Sequence, residues 1–141
     1  MGWTFVKYSG DNGLAEALNE MMHKVLVVDD EPDMVSTCKR LLKRLGYDCV
    51  TAQSVPDAIR LIDEQHPDLV VTDLNLPTGD GFEVTRHVRQ NQPKTPVILI
   101  TAFLTPETVG QAYANGATGY LSKPFSTAEF SDAVQRALGP A

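Results

Sequence analysis

The amino-acid sequence predicts a three-layer α/β domain in which five parallel strands form one sheet with helices on both faces. Two observations carry this prediction. Short apolar runs alternate with segments of helical periodicity five times along the chain. The runs are also continuously apolar, as in VLVV (25–28) and VILI (97–100). Strands of this kind are buried on both faces, which favours a doubly wound sheet of parallel strands joined by right-handed crossover helices.

Each predicted strand is a short apolar segment, and a helical segment follows it. The strands are KVLVV (24–28), YDCVTA (47–52), DLVVTDL (68–74), PVILIT (96–101) and GYLS (119–122). The element order is therefore (βα)5, and the repeat runs from about residue 24 to residue 138.

The predicted helices have recognisable first and last residues. In the first helix, residues 34, 35, 38, 41, 42 and 45 are apolar and share one face, and Gly46 ends it. Ser54, Asp80, Thr105 and Ser126 precede the other four helices, and Ser126 forms a capping-box pattern with Glu129. We therefore expect a cap at every helix start.

Length, charge and cysteine content narrow the class of protein. A chain of 141 residues with a net charge of −6 forms one core and lacks a broad basic surface for nucleic acid or an anionic membrane. No apolar run reaches the roughly 18 residues of a membrane span, and no signal-peptide pattern opens the chain, so we expect a cytoplasmic location. Cys38 and Cys49 lack metal-site spacing and are expected to be reduced, packed thiols.

Polar side chains follow four of the five predicted strands. Asp29 and Asp30 follow the first, Asp73 and Thr101 end the third and fourth, and Lys123 follows the fifth. In doubly wound sheets the functional crevice lies at the carboxyl ends of the strands. We therefore expect these five residues to meet at one edge.

Clustered carboxylates need a compensating charge. Two like charges about 4 Å apart repel by roughly 4 kcal/mol at an effective dielectric constant near 20. Mg²⁺ binds one or two carboxylates together with water and phosphate oxygens, so these acids predict a magnesium site. Without the ion, at least one carboxylate is expected to have a raised proton affinity. Asp73 remains either a nucleophile or a third ligand.

Four segments, taken in order, identify a family. VLVVDDEPD (25–33), VVTDLNLPTGDGFEV (70–84), ILITA (98–102) and GYLSKPF (119–125) resemble the receiver domain of two-component response regulators. The resemblance covers residues 24–138 and implies a flavodoxin-like fold, with a receiver domain over residues 23–139.

The resemblance assigns a role to each matching site residue. Asp73 is implied to be the phospho-acceptor, and Lys123 the phosphate-contacting lysine. Asp29 and Asp30 match the Mg²⁺-binding acid pair, with Asp30 the direct ligand and Asn75 contributing its backbone carbonyl. The Lys123–Pro124 bond is similar to one that the family commonly holds cis.

The resemblance also implies a conformational switch and its partners. Thr101 and Tyr120 match positions that rearrange together on phosphorylation, when the Thr101 hydroxyl gains a partner that it lacks beforehand. The implied phosphodonor is a sensor histidine kinase or a histidine phosphotransfer protein, and the implied target is a downstream effector domain or protein. A homodimer that forms on phosphorylation is a further expectation. The output face is expected to comprise the fourth helix, the fifth strand and the fifth helix.

Two departures from the family pattern affect the predicted site. Gly79 stands where a bulky apolar residue is usual and is expected to loosen the loop beside Asp73. Phe103 and Leu104 are large and apolar where relatives are often polar. One hypothesis is that Phe103 screens the phosphate from water and prolongs its lifetime. The alternatives are packing on the fourth helix or a partner-binding patch.

The first 22 residues lie outside the repeat and form an extension of uncertain structure. GWTFVKY (2–8) alternates like a strand, SGDNG (9–13) is typical of a turn, and LAEALNEMM (14–22) of a short helix. Trp3, Phe5 and Tyr8 are too apolar for a solvated tail. A dimer contact, an intramolecular cover and disorder all remain open.

Other functions compete with a signalling switch whose only chemistry is its own phosphoryl transfer and hydrolysis. A Mg²⁺-dependent phosphohydrolase would also use an aspartyl phosphate, but such enzymes usually keep an acid where this chain has Asn75. A pseudo-receiver that only binds partners is a second alternative. A flavin-binding module is disfavoured because no Ser/Thr/Gly-rich phosphate loop follows the first strand. The chain is either a stand-alone receiver or part of a longer regulator.

Overall fold

The computed structural model describes residues 22–139, which form a five-stranded parallel sheet. The spatial order is β2-β1-β3-β4-β5, and every neighbouring pair is parallel. The strands are β1 (Lys24–Val28), β2 (Asp48–Ala52), β3 (Leu69–Asp73), β4 (Val97–Thr101) and β5 (Gly119–Ser122). The predicted fold class is confirmed, and the strand bounds differ from the predicted ones by at most one residue.

Five helices cover both faces of the sheet. They are α1 (Pro32–Arg44), α2 (Val55–Gln65), α3 (Gly81–Asn91), α4 (Pro106–Ala114) and α5 (Thr127–Leu138). Residues of α1 and α5 pack on one face, where Leu42 and Phe130 are fully buried. Residues of α2 and α3 pack on the other face, around Ile62 and Val88. The buried β1, β3 and β4 lie between two apolar layers, which is why their sequences are continuously apolar.

Four helices have the predicted caps, and one does not. The side chains of Ser54, Asp80, Thr105 and Ser126 each accept a hydrogen bond from a backbone N–H of the first turn. Helix α1 has Glu31 at its N-cap and no side-chain cap. The expectation of a cap at every helix start is therefore wrong for α1. The residues that precede this helix belong to the carboxylate cluster instead.

The loop after β3 contains a short ladder. Asn75–Leu76 pairs antiparallel with Gly79–Asp80. Gly79 has φ +148°, and a Cβ there would lie 2.9 Å from Val55 Cγ2. The glycine thus lets this turn pack against α2, and the looser loop expected from Gly79 stays a prediction.

Some of the predictions concern residues outside the described part of the chain. The predictions for the N-terminal extension, residues 1–22, lie outside the described part of the chain except at Met22, and the domain boundary at residue 23 stays a prediction. Among residues 22–139, no helix is long and apolar enough to cross a membrane. Cys38 is buried and Cys49 half-buried, both as free thiols.

Candidate phosphoryl-acceptor site

The carboxyl ends of β1, β3 and β5 bring a lysine between two carboxylates. Lys123 Nζ donates to Asp73 Oδ2 at 2.9 Å and to Asp29 Oδ2 at 3.1 Å. Glu31 Oε1 lies 3.6 Å from the same nitrogen. Because β1 and β3 are adjacent in the sheet, Asp29 and Asp73 lie side by side, and the loop after β5 carries the ammonium group to them.

Burial determines the electrostatics of this cluster. Asp29 is 2% exposed and Asp73 5% exposed. Removal from water raises the pKa of Asp29, although the Glu31 N–H and Lys123 oppose this shift. Burial lowers the pKa of Lys123, but its hydrogen bonds to Asp73 and Asp29 outweigh burial and raise the pKa overall. The expected rise in carboxylate proton affinity is confirmed at Asp29, with burial rather than crowding as its main cause.

Three carboxylates are arranged as potential ligands for one cation. Oxygens of Asp29, Asp30 and Asp73 lie within 4.8 Å of one another. Asp30 is exposed and the other two are buried, so the cluster opens to solvent on the Asp30 side. An all-oxygen donor set with an open side fits a hard divalent cation such as Mg²⁺, which keeps several waters.

Local backbone hydrogen bonds fix the two buried carboxylates. Asp29 Oδ1 accepts the Glu31 N–H at 2.9 Å, and Asp73 Oδ1 accepts the Asn75 N–H at 3.2 Å. Each aspartate therefore presents one oxygen to its own loop and the other to Lys123. The role of the Asn75 backbone carbonyl as a metal ligand stays a prediction.

The predicted switch residues occupy different surroundings. Thr101 is buried at the end of β4, and its Oγ1 accepts the Phe103 N–H at 3.2 Å. The hydroxyl therefore already accepts one hydrogen bond, and the phosphoryl oxygen that its O–H is expected to gain on phosphorylation stays a prediction. Tyr120 lies away from the cluster on β5, 39% exposed, with its ring centroid 6.0 Å from that of Tyr113.

Two further predicted features can be located. Phe103 is 76% exposed, so most of its side chain is not covered by α4, and its role as a screen for the phosphate stays a prediction. The Lys123–Pro124 peptide bond is cis.

Sequence reasoning missed one glycine that positions the site. A Cβ on Gly81 would overlap the backbone oxygen of Asp73, far inside van der Waals contact. The Gly81 N–H also donates to the Leu74 oxygen at 2.8 Å. The signal in the sequence was the second glycine of TGDG (78–81), but turn composition alone does not distinguish a close approach from an ordinary helix start.

Comparison with known proteins identifies the family. Residues 25–135 match the model described as the response regulator receiver domain. The chain belongs to this family. The match covers all five strands of the receiver domain except the first residue of β1, and it includes every predicted site residue.

Relatives and solved structures agree with this assignment. The receiver domain is 36% identical over 115 residues to the response regulator protein PilR of Pseudomonas aeruginosa, covering 82% of this chain and 26% of PilR. It is 36% identical over 118 residues to the alkaline phosphatase synthesis transcriptional regulatory protein PhoP of Bacillus subtilis, covering 84% of this chain and 49% of PhoP. The chemotaxis protein CheY4 of Vibrio cholerae superposes with a TM-score of 0.79 at 35% identity, covering 83% of this chain and 99% of the CheY4 chain.

These matches place the protein in two-component signalling as a receiver domain. The chain matches about a quarter of the length of PilR and about half of that of PhoP. The resemblance is therefore to the receiver portion of those regulators.

Proposed function

We propose that this receiver domain accepts a phosphoryl group on Asp73 from the phosphohistidine of a sensor kinase or a histidine phosphotransfer protein. The observation that supports this most directly is the position of Lys123, whose ammonium group contacts Asp73 and Asp29 together. A fixed cation beside a carboxylate nucleophile stabilises the charge on the equatorial oxygens of a transferring phosphoryl group.

The transfer forms one bond and breaks one. A carboxylate oxygen of Asp73 attacks phosphorus, the P–N bond of the phosphohistidine breaks, and its electron pair returns to the imidazole nitrogen. Lys123 then exchanges part of its contact with the carboxylate for a phosphoryl oxygen. Asn75 N–H holds the other oxygen of Asp73 in place. Attack of water on phosphorus then breaks the P–O bond to Asp73, which restores the carboxylate and releases inorganic phosphate.

Asp29, Asp30 and Asp73 would hold a Mg²⁺ ion, with the Asn75 backbone carbonyl as a further ligand. When bound, the ion supplies positive charge that offsets the repulsion between the acids and a phosphoryl group, which adds between one and two negative charges near neutral pH. The three acids make a cation necessary. Without one, a phosphoryl group about 4 Å from Asp29 or Asp30 would be repelled by roughly 4 kcal/mol per charge pair at an effective dielectric constant near 20.

Phosphorylation is proposed to act on Thr101 and Tyr120. The Thr101 hydroxyl accepts the Phe103 N–H and donates its own hydrogen to a phosphoryl oxygen, which draws the loop after β4 toward Asp73. Tyr120 then turns inward from its exposed position. The face formed by α4, β5 and α5 changes as a result, and an effector domain or protein, or a second copy of this domain, reads that change.

The deciding experiment is intact-mass analysis after incubation with acetyl phosphate, with and without Mg²⁺. We expect one phosphoryl adduct on the parent protein in Mg²⁺, and none after EDTA treatment. Asp73→Asn removes the nucleophile at nearly constant volume and is expected to give no adduct. Asp80→Asn is the matched control, because Asp80 caps α3 instead of facing the cluster.

Three outcomes would count against the proposal. Absence of an adduct on a folded parent protein would indicate a pseudo-receiver. An adduct that persists in Asp73→Asn would move the acceptor elsewhere. Turnover of a small phosphate ester would instead favour the phosphohydrolase, although Asn75 leaves that activity without the second acid such enzymes usually have.

A further inference from the structure

Thr72 places a hydroxyl group in a strand that is apolar up to that point. The three residues before it in β3 are fully buried, and Thr72 is fully buried as well. Because side chains alternate along a strand, Thr72 shares a face with Val70, which belongs to the apolar layer beneath α2 and α3. Valine would fill this position with the same branched shape, so the buried hydroxyl requires an explanation.

The Thr72 hydroxyl donates a hydrogen bond to the acceptor residue itself. Its Oγ1 lies 2.9 Å from the backbone oxygen of Asp73. The ladder between β1 and β3 ends at the pair Val28 and Thr72, so Asp73 lies one residue beyond it. The side-chain hydrogen bond therefore holds Asp73 at the point where its strand leaves β1.

Both polar groups of the peptide unit that follows Asp73 are held in this way. Its carbonyl oxygen accepts the Thr72 hydroxyl, and its N–H donates to the Ile100 oxygen at 2.9 Å. The next N–H along the chain, that of Asn75, donates to Asp73 Oδ1 at 3.2 Å. Rotation of the peptide unit would displace the Asn75 N–H, and with it the carboxylate that this N–H orients.

A buried hydroxyl can also bond a nearby carbonyl without affecting function. Thr85, on the buried face of α3, is such a case, because its Oγ1 donates to the Gly81 oxygen at 2.7 Å, four residues earlier in the same helix. Serine and threonine side chains form this bond within many helices. Thr72 differs, since its acceptor atom belongs to the residue whose side chain is the proposed nucleophile.

We propose that Thr72 is a positioning residue for phosphoryl transfer, which orients the Asp73 carboxylate through the peptide unit that follows it. The inference rests on the proposed function, because it concerns the reactivity of Asp73 as the acceptor. A displacement of about 1 Å at a reacting group can cost about 100-fold in rate. Loss of one orienting hydrogen bond is expected to cost roughly tenfold.

Two substitutions at Thr72 separate hydrogen bonding from packing. Thr72→Val keeps the volume and removes the hydroxyl, whereas Thr72→Ser keeps the hydroxyl and removes a methyl group. Intact mass measures initial rates of adduct formation over a range of acetyl phosphate concentrations in Mg²⁺. We expect Thr72→Val to lower the maximal rate roughly tenfold at an unchanged half-saturating concentration. We expect Thr72→Ser and the control Thr85→Val to remain within about twofold of the parent rate.

A second measurement tests the hydrogen bond without phosphorylation. The carbonyl carbon resonance of Asp73 reports hydrogen bonding to its oxygen, and the amide resonance of Asn75 reports the bond to the carboxylate. We expect Thr72→Val to shift both resonances. Thr72→Ser is expected to leave both close to their positions in the parent protein, because it retains the donor.

Three results would overturn the inference while leaving the proposed function intact. They are a Thr72→Val rate equal to that of a phosphorylated parent, equal losses of rate in Thr72→Val and Thr72→Ser, and an unshifted Asp73 carbonyl resonance in Thr72→Val. A folded parent that gives no adduct would instead overturn the proposed function, and the inference with it.

Discussion

At the scale of single residues, Lys123 explains how two acids, Asp29 and Asp73, can be buried side by side at the carboxyl edge of the sheet. The Lys123 side chain is 13% exposed, and the Asp29 and Asp73 side chains are 2% and 7% exposed. Each carboxylate also accepts one backbone N–H. The lysine and these amides offset the cost of burying the two charges.

Replacing Lys123 with methionine is expected to destabilise the protein, because it leaves buried carboxylates without a compensating charge. We expect a loss of about 3 kcal/mol in the free energy of unfolding without Mg²⁺. We expect a smaller loss in excess Mg²⁺, since the proposed ion would bind the folded cluster and not the unfolded chain. Urea unfolding in EDTA and in Mg²⁺ measures both values.

The matched control for this change is Lys39→Met on the exposed side of α1, with an expected effect under about 0.5 kcal/mol. An equal loss for Lys123→Met with and without Mg²⁺ would show that the lysine stabilises by packing instead of by charge.

Phe103 tests a second effect at this scale. If its ring screens the acyl phosphate, Phe103→Glu is expected to speed loss of the phosphoryl adduct roughly threefold to tenfold, equivalent to at most about 1.4 kcal/mol of barrier. Leu104→Glu makes the same change one residue further along. Decay of the adduct followed by intact mass measures both rates, and an unchanged rate for Phe103→Glu would leave the residue as part of a docking surface.

At the scale of elements, the start of α3 is built around the acceptor. Helix α3 begins at Gly81, directly beneath the backbone oxygen of Asp73. Asp80 caps the helix by accepting the Glu83 N–H at 3.0 Å. The element that follows the acceptor loop is therefore held against the acceptor by a residue without a side chain.

Two glycine substitutions separate this close approach from ordinary helix propensity. Gly81→Ala is expected to cost more than about 1 kcal/mol of stability, because its Cβ would force Asp73 to move, and to slow phosphorylation. Gly110→Ala, within α4, meets no atom within 4 Å and is expected to stabilise by about 0.5–1 kcal/mol. Urea unfolding and the initial phosphorylation rate measure these effects, and equal stabilities would exclude the close approach.

At the scale of the whole molecule, Arg89 joins two loops at the amino edge of the sheet. Its guanidinium group donates to the carbonyl oxygens of Pro93, Thr95 and Gly116. A Cβ on Gly116 would lie 2.9 Å from Arg89 Nε. The contact therefore connects the end of α3 to the turn that follows α4.

Arg89→Met is expected to lower the free energy of unfolding by about 2 kcal/mol, because it removes charge-assisted hydrogen bonds to three carbonyls. Arg89→Lys is expected to recover little of this loss, since an ammonium group cannot reproduce the planar fork. Arg86→Met is the control, because Arg86 on the same helix is exposed and bonds one side chain, Asn115. Equal losses for the two methionine variants would contradict a special role for Arg89.

Local chemistry made much of the molecule predictable from its sequence. The periods of apolar residues indicated all ten main elements, and short polar residues such as Ser54 and Ser126 marked helix starts. The cap prediction failed at α1 because the residues before it serve the carboxylate cluster. Lys123, which is distant in the sequence, contacts Asp29 and Glu31 there, so these side chains belong to the cluster and do not cap the helix.

The sequence by itself determined the alternation of strands and helices, the residues at the strand ends and the family of the chain, because each depends on neighbouring residues or on a short ordered pattern. Only the tertiary structure decided the contact between Lys123 and Asp29, which are 94 residues apart. The same holds for the close approach of Gly81 to Asp73 and for the hydrogen bonds of Arg89 to three carbonyl oxygens. These contacts form only when segments remote in the chain are positioned to within a few tenths of an ångström. Packing of the whole sheet and its helices sets such distances, and no local pattern encodes them.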